Sequence, residues 1–205
     1  MFAHAFLFLT LLQAPAPPPA ESSPAVPAAP RAAPSPQPRP SGVRVPVPVQ
    51  LVSVDDGDTV QIRWPQGDLE IVRLLGIDTP ETRHVEHDIP FDQSFGKEAR
   101  AFAQGAFAAA TQIELLRSKT LDPFGRTLGY AFVNGVNYSL LVVKARLAEE
   151  SVSRYGDNGL PKEAAEVLAA AKAAGPLPFE PPGAYRTRMR EVTKAMKARG
   201  EYPAH

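Results

Sequence analysis

The chain has 205 residues and no cysteine, which excludes a disulfide framework and thiolate metal sites and leaves one packed domain plus tails as the expected organisation. Its 22 Lys and Arg balance 22 Asp and Glu, and the balance is uneven: residues 46–175 carry 13 basic against 18 acidic side chains, while residues 176–205 carry six against three. A protein that holds polyanions by global positive charge is thereby excluded, and any such affinity must come from individually placed arginines and a bound cation.

The first residues carry a short apolar run, 5–12, followed by the small residues Ala14 and Ala16. That is the pattern of a secretory leader, so residues 1–16 read as a signal peptide and the protein as exported, periplasmic or extracellular. The run is too short to span a bilayer as a helix. Most of the 23 prolines fall before Pro48 or after Pro176. Residues 17–44 are dominated by Pro and Ala and read as a stiffened spacer, residues 45–175 as the globular domain, and residues 176–205 as a basic extension.

Within the domain, β-rich stretches at 43–54, 59–64 and 69–76 are joined by turn candidates at Asp56-Gly57 and at residues 65–68. Phe95, Ala99, Phe102, Ala103, Ala106, Phe107 and Ala110 recur at helical spacing, predicting an amphipathic helix over 95–110 with Ser94 available as its cap. Two further strands follow at 112–117 and 126–133, the second turning through Asn134-Gly135. A short helix over 138–145 has Asn137 as a natural N-cap, and another over 161–174 ends at Gly175-Pro176. Five strands with a helix after the third and helices at the end predict an α+β, mainly β domain: a five-stranded, partly open Greek-key barrel of the OB type with three α-helices.

Two clusters carry chemistry. Asp55-Asp56-Gly57-Asp58-Thr59 puts three carboxylates around a glycine turn, which alone is an ordinary polar hairpin. Further on, the run from Arg73 to Thr82 places an arginine inside an apolar strand and Asp78, Thr79 and Glu81 just past its end. A charge in such a strand requires a carboxylate partner or an anionic ligand. Hard cations such as Ca²⁺ take oxygen donors. Asp58 and Asp78 can meet at one barrel rim with the Thr79 carbonyl beside them, fixed in direction by Pro80, and with Glu81 close enough to hold a water. A second arginine, Arg126, opens a strand after Asp122-Pro123-Phe124-Gly125; its plain reading is a surface salt bridge to Asp122.

The runs DGDTV, RLLGIDTPET, FGKEA (residues 95–99) and DPFGRTLGY (residues 122–130), in this order, resemble the staphylococcal nuclease family. The resemblance implies an OB-fold barrel with three helices, one Ca²⁺ ion, and hydrolysis of DNA and RNA leaving 3′-phosphate ends; the protein is expected to be a monomer. It implies that Asp58, Asp78 and the Thr79 carbonyl bind the metal, that Glu81 orients or deprotonates water, and that Arg73 and Arg126 stabilise the phosphate. Asp56 falls where the family keeps an acidic neighbour of the ligands. Two regions depart from the family pattern: Pro123 and Phe124 replace a basic and an aromatic residue beside the second arginine, and Tyr155 and Arg154 compete for one place in the aromatic pair that stacks the nucleotide base. A non-catalytic OB module that binds nucleic acid is the main rival, and a calcium-stabilised surface domain the second.

Two other features are set aside. His84 and His87 lie in a polar stretch, 83–93, that reads as a solvated loop more readily than as a metal site. Met189, Val192 and Met196 near helical spacing predict a solvated terminal helix.

Overall fold

The computed structural model describes residues 34–203. The expected leader, residues 1–16, and most of the spacer lie outside them. In chain order the elements are β1 (Arg44–Val47), β2 (Val52–Val54), β3 (Thr59–Arg63), β4 (Leu69–Leu74), β5 (Ile77–Asp78), α1 (Gly96–Ala108), β6 (Ile113–Leu121) and β7 (Thr127–Val133). They continue with β8 (Val136–Asn137), α2 (Tyr138–Lys144), β9 (Glu149–Glu150), α3 (Val152–Tyr155), α4 (Pro161–Ala174) and α5 (Pro182–Ala198).

The main sheet runs β1-β6-β7-β4-β3-β2, with β8 added to β7, and every pairing is antiparallel except β4 beside β7. The single strand expected over 43–54 is two. It breaks at Pro48, which has no N–H to give a ladder, and a 3₁₀ turn (Val49–Leu51) follows. The break matters because β1 then pairs with β6 and β2 with β3, at opposite ends of the sheet order. One short stretch of chain meets both edges, and the sheet is curled into a half-barrel of the OB type.

The interior is filled by alternate residues of the strands, such as Val60, Ile62, Val72 and Leu74, and capped by Tyr138, Val142 and Val167 from α2 and α4. Inside it lies a charged pair: Arg117, 2% exposed, donates from Nε and Nη2 to the two oxygens of Glu70 at 2.7 and 2.9 Å. Trp64 Nε1 and Thr127 Oγ1 also donate to the carboxylate. The end of the proline-rich segment is not free chain. Pro36 bridges Thr120, the Gln37 N–H donates to the Lys119 carbonyl, and Gly42 to that of Arg117, so residues 35–42 lie along β6. The Arg39 guanidinium covers the Trp64 ring and reaches Asp68 and Glu70.

Among the described residues the α-helices number five, where three in the barrel and one at the terminus are expected. Asn137 caps α2 as its sequence position predicts, accepting from the Ser139 N–H at 3.0 Å. Ser94 does not cap α1: Phe95, at φ 70°, precedes the helix and no side chain caps it. The two-residue pair β5–β9, in register Asp78↔Glu149, is a further element absent from the sequence reading. Nor is the terminal helix solvated on every face. Tyr185 and Met189 are buried against Ile89, with Val192 beside them. The Tyr185 hydroxyl donates to the Phe91 carbonyl, Thr193 to that of Asp88 and Tyr202 to that of Val85, so α5 holds the 84–91 loop. Among the described residues no helix is long and apolar enough to cross a membrane.

Candidate functional site

The Asp55–Thr59 turn is made by its own backbone: the N–H groups of Asp55 and Asp56 donate to the Thr59 carbonyl, and the Asp58 N–H donates to Asp56 Oδ1 at 3.1 Å. Tyr138, the buried first residue of α2, donates its hydroxyl to the Gly57 carbonyl at 2.8 Å and ties the turn to the core. A β-carbon on Gly57 would lie within 2.9 Å of the Thr79 side chain, so glycine lets the segment after β5 pack onto this turn. Asp58 is thereby left 2% exposed, with Oδ2 accepting from the Thr79 N–H at 2.9 Å.

Arg73 stands opposite Thr59 in the β3–β4 register. Its guanidinium bridges two buried carboxylates: Nη1 pairs with Asp58 Oδ1, and Nη2 with Asp78 Oδ1 at 2.9 Å. Asp58, Asp78 and Thr79 therefore meet at one rim, and Arg73 joins them. Glu81 lies beside Asp78. Its N–H donates to Gln93 Oε1 and its carbonyl accepts from the Gln93 N–H, while Gly96 packs so closely on that carbonyl that a β-carbon there would collide with it.

Arg126 is not brought into contact with this group. Its Nε donates to Asp122 Oδ2 at 2.7 Å, and its guanidinium lies 5.6 Å from the centre of the exposed Phe124 ring. The turn is closed by Asp122 Oδ1, which accepts from the N–H groups of Phe124 and Arg126. Arg126 immediately precedes β7, whose Leu128 stands opposite Arg73, so strand alternation puts Arg126 on the Arg73 face of the sheet.

The residue that the sequence reading did not place here is Arg186, from α5. Its Nη1 and Nη2 reach the two oxygens of Asp78 at 3.1 and 2.7 Å, and Nη1 also donates to Glu81 Oε1 at 2.5 Å. The signal was present in part: Met189 and Val192 mark an apolar face on that helix, and such a face needs something to dock on.

Burial pushes the Asp78 carboxyl up, but the Arg186 hydrogen bonds and the charges of Arg73 and Arg186 outweigh it and leave the group below the usual carboxylate range. Glu81 goes the other way. Burial raises it, the charges of Asp78 and Asp56 add to that, and Arg186 only partly opposes them. Next to Asp78 opens a cleft of about 360 Å³, lined by Glu149, Glu150, Ser153, Arg154 and Tyr155 among others. Both candidates for a stacking residue, Arg154 and Tyr155, thus line one cleft.

Among the described residues no group of three or more His, Cys, Asp and Glu is arranged to hold a metal. The donor chemistry at the rim nonetheless fits a hard cation. Two almost fully buried carboxylates, Asp58 and Asp78, meet on the Arg73 guanidinium, and carboxylate oxygen is the donor that a hard cation takes. His84 and His87 meet edge to face, ring centres 5.8 Å apart.

The family model described as staphylococcal nuclease homologue matches residues 71–175, half of the chain. The chain is 36% identical over 96 residues to a thermonuclease of Staphylococcus intermedius, covering 46% of this chain and 54% of that one. It is 30% identical over 94 residues to the SPbeta prophage-derived endonuclease YokF of Bacillus subtilis, covering 45% and 30%. It is 33% identical over 97 residues to an uncharacterized protein of Bacillus anthracis, covering 47% and 44%. The chain therefore spans about a third to a half of the length of the curated relatives it matches.

Proposed function

Since the chain belongs to the staphylococcal nuclease homologue family, we propose that it is a calcium-dependent phosphodiesterase that hydrolyses DNA and RNA and leaves 3′-phosphate ends. The observation that carries this is the Arg73 bridge between two buried aspartates at a barrel rim, with Glu81 beside it. Asp58, Asp78 and the Thr79 carbonyl would hold the cation, which when bound would polarise a phosphate oxygen. Glu81 takes the proton of an attacking water, a role that its raised pKa suits, because a base works best when its pKa is near the working pH. Arg73 supplies N–H donors to the charge that develops on phosphorus oxygens. Arg126 reaches the same charge by leaving Asp122, an exchange that an ion pair at the surface permits at little loss. Arg154 and Tyr155 in the adjoining cleft offer a flat cation and a ring to a nucleotide base.

The test is hydrolysis of single-stranded DNA and of RNA by the purified chain, with Ca²⁺ and with chelator, beside Glu81→Gln. We expect cleavage of both polymers that needs Ca²⁺ and falls about 10²–10⁴-fold in the variant. Binding without cleavage in every condition would instead identify a non-catalytic OB module. Export belongs to the same proposal, and the mass of the mature protein tests whether residues 1–16 are removed.

A further inference from the structure

We propose that α5 is a latch on the cation site, in which the Arg186 guanidinium occupies the Asp78 oxygens that a bound cation needs, so that docking of α5 and binding of the cation exclude one another. The inference rests on the reading of Asp58 and Asp78 as cation ligands. α5 itself lies beyond residues 71–175, the part of the chain that the family model matches.

Three observations carry it. Arg186 takes both oxygens of Asp78 and one of Glu81, and Arg73 takes Asp78 Oδ1 as well. The Asp78 side chain is 3% exposed, so it has no second face to offer. A cation at ordinary calcium–oxygen distances, about 2.3–2.6 Å, would face Arg186 across one carboxylate with a charge of the same sign. Like charges so close in a site with little water repel strongly, and the weaker-held of the two leaves.

The dock of α5 is also separate from the main core. Apart from Arg186 and the Gln93 bond to Glu180, it includes Tyr185 and Met189 on Ile89, the hydroxyl-to-carbonyl bonds of Tyr185, Thr193 and, just past the helix, Tyr202, and the exposed Lys197–Asp88 pair. A contact of that size can open without unfolding the barrel. Finally, the dock is tied to the chemistry. Gln93, which accepts from the Glu81 N–H, donates its Nε2 to the Glu180 carbonyl just ahead of α5 at 2.7 Å. Movement of α5 therefore reaches the Glu81 backbone through one side chain.

The experiment uses the full chain and Ca²⁺ alone, without substrate. Calorimetry gives the affinity, and hydrogen–deuterium exchange follows residues 182–198, in the wild type, Arg186→Gln and Met189→Ala. Met189→Ala loosens the dock without touching the site, and it keeps the test open should Arg186→Gln misfold. Saturating Ca²⁺ is expected to raise exchange throughout α5 in the wild type. Arg186→Gln is expected to bind Ca²⁺ at least about tenfold more tightly, and Met189→Ala to bind it more tightly than wild type by a smaller factor. Exchange decides the matter, because removing a positive charge tightens a cation in any case. If Ca²⁺ binds and α5 exchange stays the same or slows, the latch is wrong and the cation site stands. If Ca²⁺ binds to none of the three proteins, the latch and the cation reading fall together.

Discussion

Replacing Arg117 by Met removes the partner of a carboxylate that cannot reach bulk water. Glu70 is 5% exposed and would keep Trp64 Nε1 at 3.0 Å, Thr127 Oγ1 at 2.8 Å and a longer contact to Arg39 Nε at 3.3 Å. Breaking one side of a buried pair typically loses about 3–5 kcal/mol, a large share of the roughly 5–15 kcal/mol that holds a domain together. Replacing both sides, Glu70→Leu with Arg117→Met, leaves no charge stranded. It does leave the Trp64 and Thr127 donors without Glu70, at about 1 kcal/mol each. The double variant is therefore expected to lie about 2 kcal/mol below wild type, and the Arg117→Met single clearly lower still. Urea unfolding followed by the single tryptophan measures all three, with an unchanged denaturant slope showing that the same surface is exposed. A double variant no more stable than Arg117→Met, or a single that loses under about 1 kcal/mol, would refute the argument that the stranded charge dominates.

The same pair sets an acid limit. Burial pushes Glu70 up, but the hydrogen bonds of Arg117 and Thr127 and the charge of Arg117 bring it below its ordinary 4.5. A depressed pKa stabilises the fold above the unfolded value and loses that stabilisation as pH falls from about 4.5 through the folded one, so Glu70→Gln is expected to show a shallower loss of stability over that range. Arg126→Ala is expected to lower turnover by about 10²–10³ while shifting the unfolding free energy by no more than about 1 kcal/mol, since its ion pair is partly exposed and Asp122 closes the turn through backbone N–H groups. Gly96→Ala forces a β-carbon onto the Glu81 carbonyl and is expected to lose about 1–3 kcal/mol together with activity. A variant with native turnover and melting temperature would show that the loop yields freely.

Much of the rim was legible because its residues break local rules. Arg73 is a charge in an apolar strand, Asp58 follows a glycine turn, and Thr79 precedes a proline, so each announces a position that packing alone does not explain. The Asn137 cap was legible for a similar reason, since its side chain bonds within two residues of itself. Arg126 shows the reverse: its plain reading, a salt bridge to Asp122, is the contact present here. Arg186 was not legible, because it stands 108 positions from Asp78 and its place depends on how α5 docks on a loop with no periodicity of its own. The split at Pro48 was missed because both halves are β-prone and only their different partners separate them.

The parallel seam between β4 and β7 has a consequence in time. Strands of one direction cannot be joined by a hairpin, so Val72 finds Thr127 only after the chain between them, with α1 and β6, has crossed back. Closing so long a loop spends chain entropy before any ladder bond returns it, and contacts of that range form slowly. The β3–β4 hairpin and the β6–β7 hairpin, each local, are expected to form first. Arg73 stands on one side of this seam and Arg126 precedes the other strand, so a folding chain is expected to acquire its hairpins before its two arginines share a face.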